Sequence, residues 1–240
     1  MINPTLDSAV LRQRRWAVCG LILLLIPLFY AWVDLPLTEA LVNAPVWLRQ
    51  LFRKFNLLGF GEPYAYASLL ILGFAGLGIA LFPATSGARQ LATLARLTWQ
   101  ITLGLLASGI LVQIPKILLG RARPELWFSE GLYGFYGIHL DAAYRSFPSG
   151  HTITIFTLFF MLWPLLRPPA RIVLAIVAGL VALARVILLK HYVSDILAGA
   201  LLAYLVVKAL ETRWRQRGTL ITAEHPRFRE ALAWLRRAWL

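Results

Sequence analysis

Long apolar stretches alternate with short polar connections along most of this 240-residue chain. A helix needs about 20 apolar residues, with a range near 17–25, to cross the hydrocarbon core of a bilayer. The apolar side chains run continuously and do not alternate with polar ones, which favours helices over the strands of a membrane barrel. Six such stretches are present, at about residues 16–33, 65–82, 98–115, 152–166, 171–189 and 196–210.

These stretches predict six transmembrane helices. Those at 152–166 and 196–210 are short, but a short span is tolerated where a helix begins below the membrane surface or packs against protein. The chain contains no internal repeat and no low-complexity segment. We therefore expect an all-α integral membrane protein with a single membrane-embedded domain over residues 1–240.

Composition supports the same conclusion. Hydrophobic residues make up 59% of the chain and charged residues 15%, whereas a soluble domain carries roughly 25% charged residues. The net charge of +13 is also compatible with a nucleic-acid partner. The cations, however, cluster between the apolar stretches, as they do beside membrane helices, so we expect the lipid bilayer and no nucleic acid as partner. The single cysteine, Cys19, cannot form an intrachain disulfide and does not indicate a redox compartment.

The lysine and arginine residues of the connections predict the orientation. With both termini in the cytoplasm, more of these cations lie on the cytoplasmic side than on the other, and the connections 34–64, 116–150 and 190–195 lie outside. The first apolar stretch also resembles a cleaved signal peptide. Its apolar core is longer than the usual ~7–15 residues, so we interpret it as an uncleaved anchor.

Two segments outside the spans have helical patterns of their own. Between residues 45 and 58, apolar side chains recur at helical spacing and basic side chains take the other face. This pattern predicts either an interfacial amphipathic helix or a helix packed on the outer face of the protein. The basic tail, residues 211–240, is expected to lie on the cytoplasmic membrane surface near anionic headgroups.

Ionisable residues at the ends of the spans gather on the outer side in this topology. His191 and Asp195 are four residues apart and share one face of a helix. The carboxylate can accept a hydrogen bond from one ring nitrogen and leave the other nitrogen lone pair free for attack or proton abstraction. By itself this spacing is weak evidence, because a simple hydrogen-bonded pair would look the same.

Three cations strengthen the interpretation. Lys116, Arg123 and Arg185 lie at span ends on the same side as the histidine–carboxylate pair. Each one taken separately could extend to the lipid headgroups. Together around one histidine they would form a pocket for a multivalent anion, and arginine suits phosphate because its planar fork donates two parallel hydrogen bonds.

The stretch Pro148–Ser149–Gly150–His151 is expected to complete this pocket. A tight turn leads into a helix whose first amides are unpaired and whose dipole favours an anion. Gly150 allows the backbone to approach an oxyanion closely. Ser149 can donate to a phosphate oxygen or cap the helix, and His151 is placed to act as the general acid for the leaving oxygen.

A metal site is the rival chemistry. Two histidines and an aspartate could form a facial triad, but three cations at the same place would repel a divalent ion. His139 lies in the same outer connection and is given no role. We therefore expect no metal and no cofactor, and a phosphoryl transfer in which His191 attacks phosphorus and His151 exchanges the proton.

The motifs make the sequence similar to the type-2 phosphatidic acid phosphatase family, the membrane branch of the lipid phosphatase/vanadium haloperoxidase superfamily. The family's three motifs correspond here to Lys116 with Arg123-Pro124, to Pro148–His151, and to Arg185, His191 and Asp195. The serine that opens the third motif is replaced by Ala184, which removes one supporting hydrogen bond. The three motifs cover residues 116–195 of the chain.

The resemblance implies a six-helix membrane fold with a helical-bundle core that carries the active site near one membrane face. It implies that His191 is the nucleophile, His151 the acid and base, and Asp195 the orienting partner of His191, without a metal. It also implies a site that faces the periplasm or the cell exterior, and so a bacterial cytoplasmic (inner) membrane.

The sequence therefore predicts an enzyme that dephosphorylates a membrane lipid. Undecaprenyl diphosphate, phosphatidylglycerophosphate, phosphatidate and the phosphates of lipid A remain open as substrates. A lipid phosphotransferase of the same fold would carry identical motifs. A more distant alternative is an anion transporter, which would need polar residues through several helices, whereas the inner halves of these spans are apolar.

Overall fold

The computed structural model describes residues 4–83, 85–222 and 225–238 of the chain. Over these residues the fold is helical and contains no β-strand. The α-helices are α1 Pro4–Trp32, α2 Asp34–Leu41, α3 Val46–Leu57, α4 Glu62–Leu81, α5 Ser86–Leu111, α6 Gln113–Leu119, α7 Pro124–Glu130, α8 Gly150–Leu162, α9 Pro168–Ile187, α10 Val193–Gln216 and α11 Pro226–Ala238.

Within the described residues, five helical segments are long and apolar enough to cross a membrane. They are Gln13–Trp32, Val46–Leu81, Gly87–Leu119, Pro168–Ile187 and Val193–Gln216. The remaining predicted span, 152–166, corresponds to the shorter apolar helical stretch Gly150–Leu165. The prediction of an all-α membrane protein is confirmed, and the helix that is short for a full crossing is the one that begins at the Pro148–His151 turn.

The outward surfaces of the helices show that the protein is built for lipid. Large apolar side chains of α1 and α4 are more than half exposed, which in water would be a costly hydrophobic surface. Examples are Leu21, Leu24, Leu69, Leu70 and Phe74. In a bilayer these side chains meet acyl chains, so the bilayer is the solvent of the outer ring.

The core lies where α8 packs against its neighbours. One cluster joins Ile155 and Leu158 of α8 to Ala178 and Val181 of α9, and a second joins α8 to α10 through Ala203 and to Val112 at the end of α5. Small residues on α9 and α10 let the helix backbones approach closely, as is typical of helix pairs in membranes. The short α8 is therefore enclosed by protein.

The chain reversals bring four helix ends to one side of this bundle. The end of α5 with α6, the start of α8, the end of α9 and the start of α10 all meet there. The connection 120–149 contacts α6 through Arg145 and α10 through Ser146. The three motif stretches lie at these four ends, on the common side that the topology predicts.

Helix α3 corresponds to the amphipathic segment predicted at 45–58. It packs against α9 and buries Phe52, while Val46, Trp47 and Leu57 are well exposed. One face thus contacts protein, as one of the two predicted alternatives requires, and apolar side chains remain free to meet the membrane interface.

The tail forms α11, which packs against α5 and buries Phe228 and Ala231. The predicted tail extends to residues 239 and 240, which lie outside the described residues. The placement of α11 near anionic headgroups remains a prediction.

Candidate active site

Lys116 lies on the short helix α6 with its side chain turned into the protein. Its ammonium donates to the backbone carbonyl of Arg145 at 3.2 Å, and only 8% of the residue is exposed. An ideal Cβ built on Gly150 would lie 3.6 Å from the ammonium nitrogen. The ammonium therefore faces the start of α8, where the sequence predicts unpaired backbone amides.

The turn before α8 is held by its serine. Ser149 is the N-cap of α8, and its hydroxyl accepts from the amide and the hydroxyl of Thr152. Its own amide donates to the backbone carbonyl of Asp195 at 3.1 Å, which ties the start of α8 to α10. A Cβ on Gly199 would lie 2.9 Å from the Ser149 carbonyl oxygen, so this close approach requires glycine. Of the two roles predicted for Ser149, the geometry supports capping.

His151 is enclosed by the residues that follow α3. The ring of Phe60 meets the imidazole edge-on, with centroids 4.6 Å apart. A Cβ on Gly59 would lie 2.6–2.9 Å from three atoms of the His151 side chain. The buried Nε2 of His151 has no hydrogen-bond partner among the described residues. This nitrogen is thus available to a group that enters the pocket.

Arg185 occupies the last turn of α9 and is 7% exposed. One terminal guanidinium nitrogen donates to the side-chain oxygen of Asn56 on α3 at 2.5 Å. Its carbonyl accepts from the amides of Lys190 and His191, which folds the α9–α10 connection back onto the helix end. The same residue therefore points its charge into the pocket and fixes the backbone of His191.

His191 and Asp195 meet, but they do not share one face of a helix as the spacing predicts, because His191 lies in the connection before α10, which begins at Val193. Nδ1 of the imidazole lies 3.4 Å from Oδ2 of the carboxylate, and both side chains are almost fully buried. The same Oδ2 accepts from the Ser146 hydroxyl at 2.6 Å and from the Tyr192 amide at 2.9 Å. This arrangement directs Nδ1 to the carboxylate and leaves Nε2 as the nitrogen that can react.

Burial sets the charge of the imidazole. It lowers the pKa of His191 to about 3, although the hydrogen bond from the ring to Asp195 acts in the opposite direction. The ring is therefore neutral near pH 7. A neutral imidazole with an oriented free nitrogen is the form that can act as a nucleophile.

The remaining predicted residues converge on His151. Arg185, His191, Lys116 and Arg123 all lie near enough to interact electrostatically with its imidazole. Arg123 is the N-cap of α7, and its backbone amide donates to the carbonyl of Ala143 at 2.9 Å. Three cations and two imidazoles are thus collected at one place, which is an arrangement suited to a phosphate group.

His139, to which the sequence assigns no role, stacks on Tyr144 with centroids 4.2 Å apart. Ala184, which replaces the motif serine, is fully buried. Among the described residues, neither side chain makes a polar contact with the pocket that would change the predicted set.

Several residues around the site are not identified from the sequence. Arg121 looks like an ordinary loop cation in the sequence, but it is fully buried and donates to Asp195. Asp34 belongs to none of the three motifs, although a carboxylate at the end of an apolar stretch is a functional suspect. Asn56, Ser146 and Ser194 show no pattern that could have identified them, since polar residues in connections are ordinary.

Comparison with known proteins places these residues in context. The family model of the PAP2 superfamily matches residues 97–218 of the chain. A lipid A 1-phosphatase of Rhizobium johnstonii is 30% identical over 189 residues, which cover 77% of this chain and 75% of that protein. A lipid A 1-phosphatase of Rhizobium etli is 38% identical over 92 residues, covering 38% of this chain and 39% of that one.

Two solved structures share the fold. A PAP2-type phosphatidylglycerolphosphate phosphatase of Bacillus subtilis has a TM-score of 0.53 at 19% identity and covers 82% of this chain and 96% of its own. The crystal structure of Aquifex aeolicus LpxE has a TM-score of 0.51 at 22% identity and covers 74% of this chain and 94% of its own. At these identities the likeness shows the fold alone.

Proposed function

Because the chain belongs to the PAP2 superfamily and is a membrane-embedded phosphatase, we propose that it removes the 1-phosphate of lipid A by a metal-independent route through a phosphohistidine. The observation that supports lipid A as the substrate is the similarity to the Rhizobium johnstonii enzyme over 77% of this chain. The observation that supports the chemistry is the convergence of three cations and a carboxylate-held imidazole on His151.

In the first step Nε2 of His191 attacks the phosphorus atom in line with the leaving oxygen. A phosphorus–nitrogen bond forms while the bond from phosphorus to the lipid oxygen breaks. His151, in its protonated form, gives its proton to that oxygen, so that the dephosphorylated lipid leaves as a neutral alcohol. The negative charge of the bound phosphate favours the protonated imidazole among the surrounding cations.

In the second step a water molecule attacks the phosphohistidine. His151 is now neutral and takes a proton from the water as the new phosphorus–oxygen bond forms. The phosphorus–nitrogen bond breaks, inorganic phosphate is released, and His191 and protonated His151 are restored. Asp195 keeps the imidazole in one orientation through both steps.

Lys116, Arg123 and Arg185 hold the three equatorial oxygens. The phosphoryl group carries its charge on these oxygens in the transition state, and fixed cations in a water-poor pocket stabilise that charge strongly. The backbone amides at Gly150 and His151 add the positive end of the α8 dipole. Catalysis then depends on position and charge, and no metal is required to polarise the phosphate.

The level of the site suits a lipid substrate. His151 begins a helix at the edge of the membrane-spanning bundle, where a headgroup can enter while its acyl chains stay in the bilayer. The proposal includes a site on the periplasmic side of a bacterial inner membrane, with both termini in the cytoplasm.

The test is phosphate release by purified enzyme in detergent with EDTA, from lipid A, phosphatidylglycerophosphate, phosphatidate and undecaprenyl diphosphate. Fragmentation mass spectrometry of the lipid A product is expected to show loss of the phosphate at position 1 with the 4′-phosphate retained. Preference for another lipid of the panel would contradict the proposal that lipid A is the substrate. Abolition of release by EDTA would overturn the metal-free route.

A phosphotransferase would behave differently in the same assay. It would release little inorganic phosphate with or without a second lipid, and addition of that lipid would yield a phosphorylated acceptor. Such dependence on an acceptor would show that the enzyme transfers the phosphoryl group to a lipid instead of to water. The roles proposed for the two histidines would remain the same.

The contact between Gly59 and His151 makes a sharp prediction. In Gly59→Ala the new Cβ would lie within 3 Å of the His151 side chain, so the imidazole must move and we expect kcat to fall more than about tenfold, because small displacements of a catalytic group are costly. Gly61→Ala is the matched control, since a Cβ there meets nothing within 4 Å. Equal activity of the two variants in the phosphate assay would contradict the close approach of residue 59 to the imidazole.

A further inference from the structure

Arg121 lies between the carboxylates of Asp34 and Asp195, which are far apart in the sequence. Its Nη1 donates to Oδ1 of Asp195 at 2.5 Å, and its Nη2 donates to Oδ2 of Asp34 at 2.7 Å. The side chains of all three residues are 0% exposed. We call Asp34, Arg121 and Asp195 the carboxylate–arginine chain.

Ser194, which precedes Asp195 in α10, bridges Asp34 and Arg121. Its hydroxyl donates to Oδ2 of Asp34 at 2.5 Å and accepts from Nη1 of Arg121 at 2.6 Å. Its backbone amide donates to Oδ1 of Asp34 at 3.1 Å. Asp34 therefore holds the first turn of α10, the turn that also carries Asp195.

Aromatic rings close off the guanidinium. Its central carbon lies 4.4–5.6 Å from the ring centroids of Tyr30, Tyr133, Phe135 and Tyr192. Burial by itself disfavours the charged form, but Asp195 and Asp34 hold the pKa of Arg121 above its ordinary value. The guanidinium thus stays charged and has one defined position, because a buried fork with two carboxylates can hardly rotate.

The carboxylate–arginine chain contacts His191, the proposed nucleophile, through Asp195. Oδ1 of Asp195 is occupied by Arg121, and this fixes the carboxylate plane so that Oδ2 faces Nδ1 of His191. The hydrogen-bond partners of the Arg121 guanidinium among the described residues are Asp34, Asp195, Ser194 and Tyr133, so its contacts are separate from those of the cations that hold phosphate. Asp34 lies outside residues 97–218, the part of the chain that the family model matches.

We propose that Asp34 and Arg121 are positioning residues of the phosphatase, which orient Asp195 and through it the attacking nitrogen of His191. This inference rests on the proposed role of His191 as nucleophile. Because Asp34 and Asp195 share the charge of Arg121, the carboxylate of Asp195 is only partly neutralised. Its remaining negative charge acts on the imidazole of His191. Loss of Asp34 leaves Arg121 to Asp195 alone, which weakens the support of the positive charge that develops on His191 and loosens the first turn of α10.

The first experiment compares Asp34→Asn with wild-type enzyme. We expect kcat to fall about 10- to 100-fold, by analogy with the loss found when a hydrogen-bond partner that orients a metal-binding histidine is removed. KM should change less than about twofold because the phosphate-holding cations are untouched. Arg121→Lys is expected to be impaired to a similar degree, since a lysine keeps the charge but cannot make the two-sided contact. The rate of phosphoenzyme formation, measured by rapid quench, should fall in parallel with kcat.

Glu125→Gln provides the matched control. It removes a carboxylate from the same outer side, where Glu125 pairs with Lys190 at 3.3 Å and both side chains are about half exposed. We expect its kcat and KM to match the wild type, because exposed pairs contribute little.

A double-variant cycle separates positioning from simple support of the fold. If Asp34 acts through Asp195, adding Asp34→Asn to an Asp195→Asn enzyme should lower kcat less than about twofold further. Multiplying losses would overturn the proposal, as would a loss in Asp34→Asn that lies in KM with kcat retained.

Ser194→Ala keeps the proposal testable if the charge variants do not fold. It removes only the hydroxyl that joins Asp34 to Arg121, and we expect a loss of kcat of about 3- to 10-fold, corresponding to one hydrogen bond. Wild-type kcat in a folded Ser194→Ala enzyme would overturn the inference. Activity retained by His191→Ala would instead overturn the proposed function itself, so the two failures can be told apart.

Discussion

Replacing His191 with alanine is expected to lower kcat by at least about 10³-fold, because the covalent route loses the atom that attacks phosphorus. In the proposed mechanism Nε2 of this residue is the reactive nitrogen, left free by the contact of Nδ1 with Asp195. The measurement is phosphate release from lipid A with EDTA present, together with acid-quench trapping of labelled phosphate on the protein. Neither product nor phosphoenzyme should accumulate.

His139→Ala is the control for this variant. His139 lies in the connection 120–149 and stacks on Tyr144, and we expect its loss to leave the rate near that of the wild type. Labelled phosphate that still accumulates on the His191→Ala enzyme would show that another residue is the nucleophile.

Replacing His151 with alanine is expected to lower kcat by about 10²–10⁴-fold for a lipid substrate, the usual contribution of a general acid and base. The size of the loss should depend on the leaving group. A lipid alcohol leaves poorly without a proton, whereas p-nitrophenolate needs none. Formation of the phosphoenzyme from p-nitrophenyl phosphate should therefore suffer much less than formation from the lipid.

Breakdown of that phosphoenzyme provides the second half of the test. Because water must still lose a proton, the intermediate should accumulate in the His151→Ala enzyme after a burst of p-nitrophenol. Equal losses for the two substrates, with no burst, would assign His151 a role in binding only.

The membrane fold could be predicted from hydropathy because a bilayer imposes length and composition on every span. The eight predicted site residues lie at the converging helix ends for a related reason. They occupy three short segments, so residues within a segment must lie close together. The predicted helical face for His191 and Asp195 is wrong in detail, since His191 precedes α10 and only Asp195 lies in that helix. The topology then brings the three segments to one side of the bundle.

The contacts between distant segments could not be predicted in the same way. Arg121 and Asp34 are separated by 87 positions, and neither hydropathy nor spacing relates one to the other. The predicted first span ends at Val33, where α1 is followed by α2. Hydropathy does not reveal in which direction the backbone turns there, and that direction decides where Asp34 points. Asn56 is hidden for the same reason, since its contact with Arg185 depends on how α3 packs against α9.

Ser149 shows how a sequence pattern can leave the role of a residue open. A serine before a helix is equally suited to cap the helix and to bind an anion. The contacts with Thr152 support the cap, and they depend on the side-chain rotamer, which no sequence pattern specifies.

The end of α1 has a consequence for the modularity of the protein. Most of α1 meets lipid, and a helix that only anchors a protein can be exchanged for another of similar length and hydropathy. Its continuation at Asp34, however, is bonded to Arg121 and Ser194. A chimera that carries a foreign first helix would therefore need a carboxylate at the position of Asp34. The junction for such a chimera belongs before residue 30, in the part of the helix that serves only as an anchor.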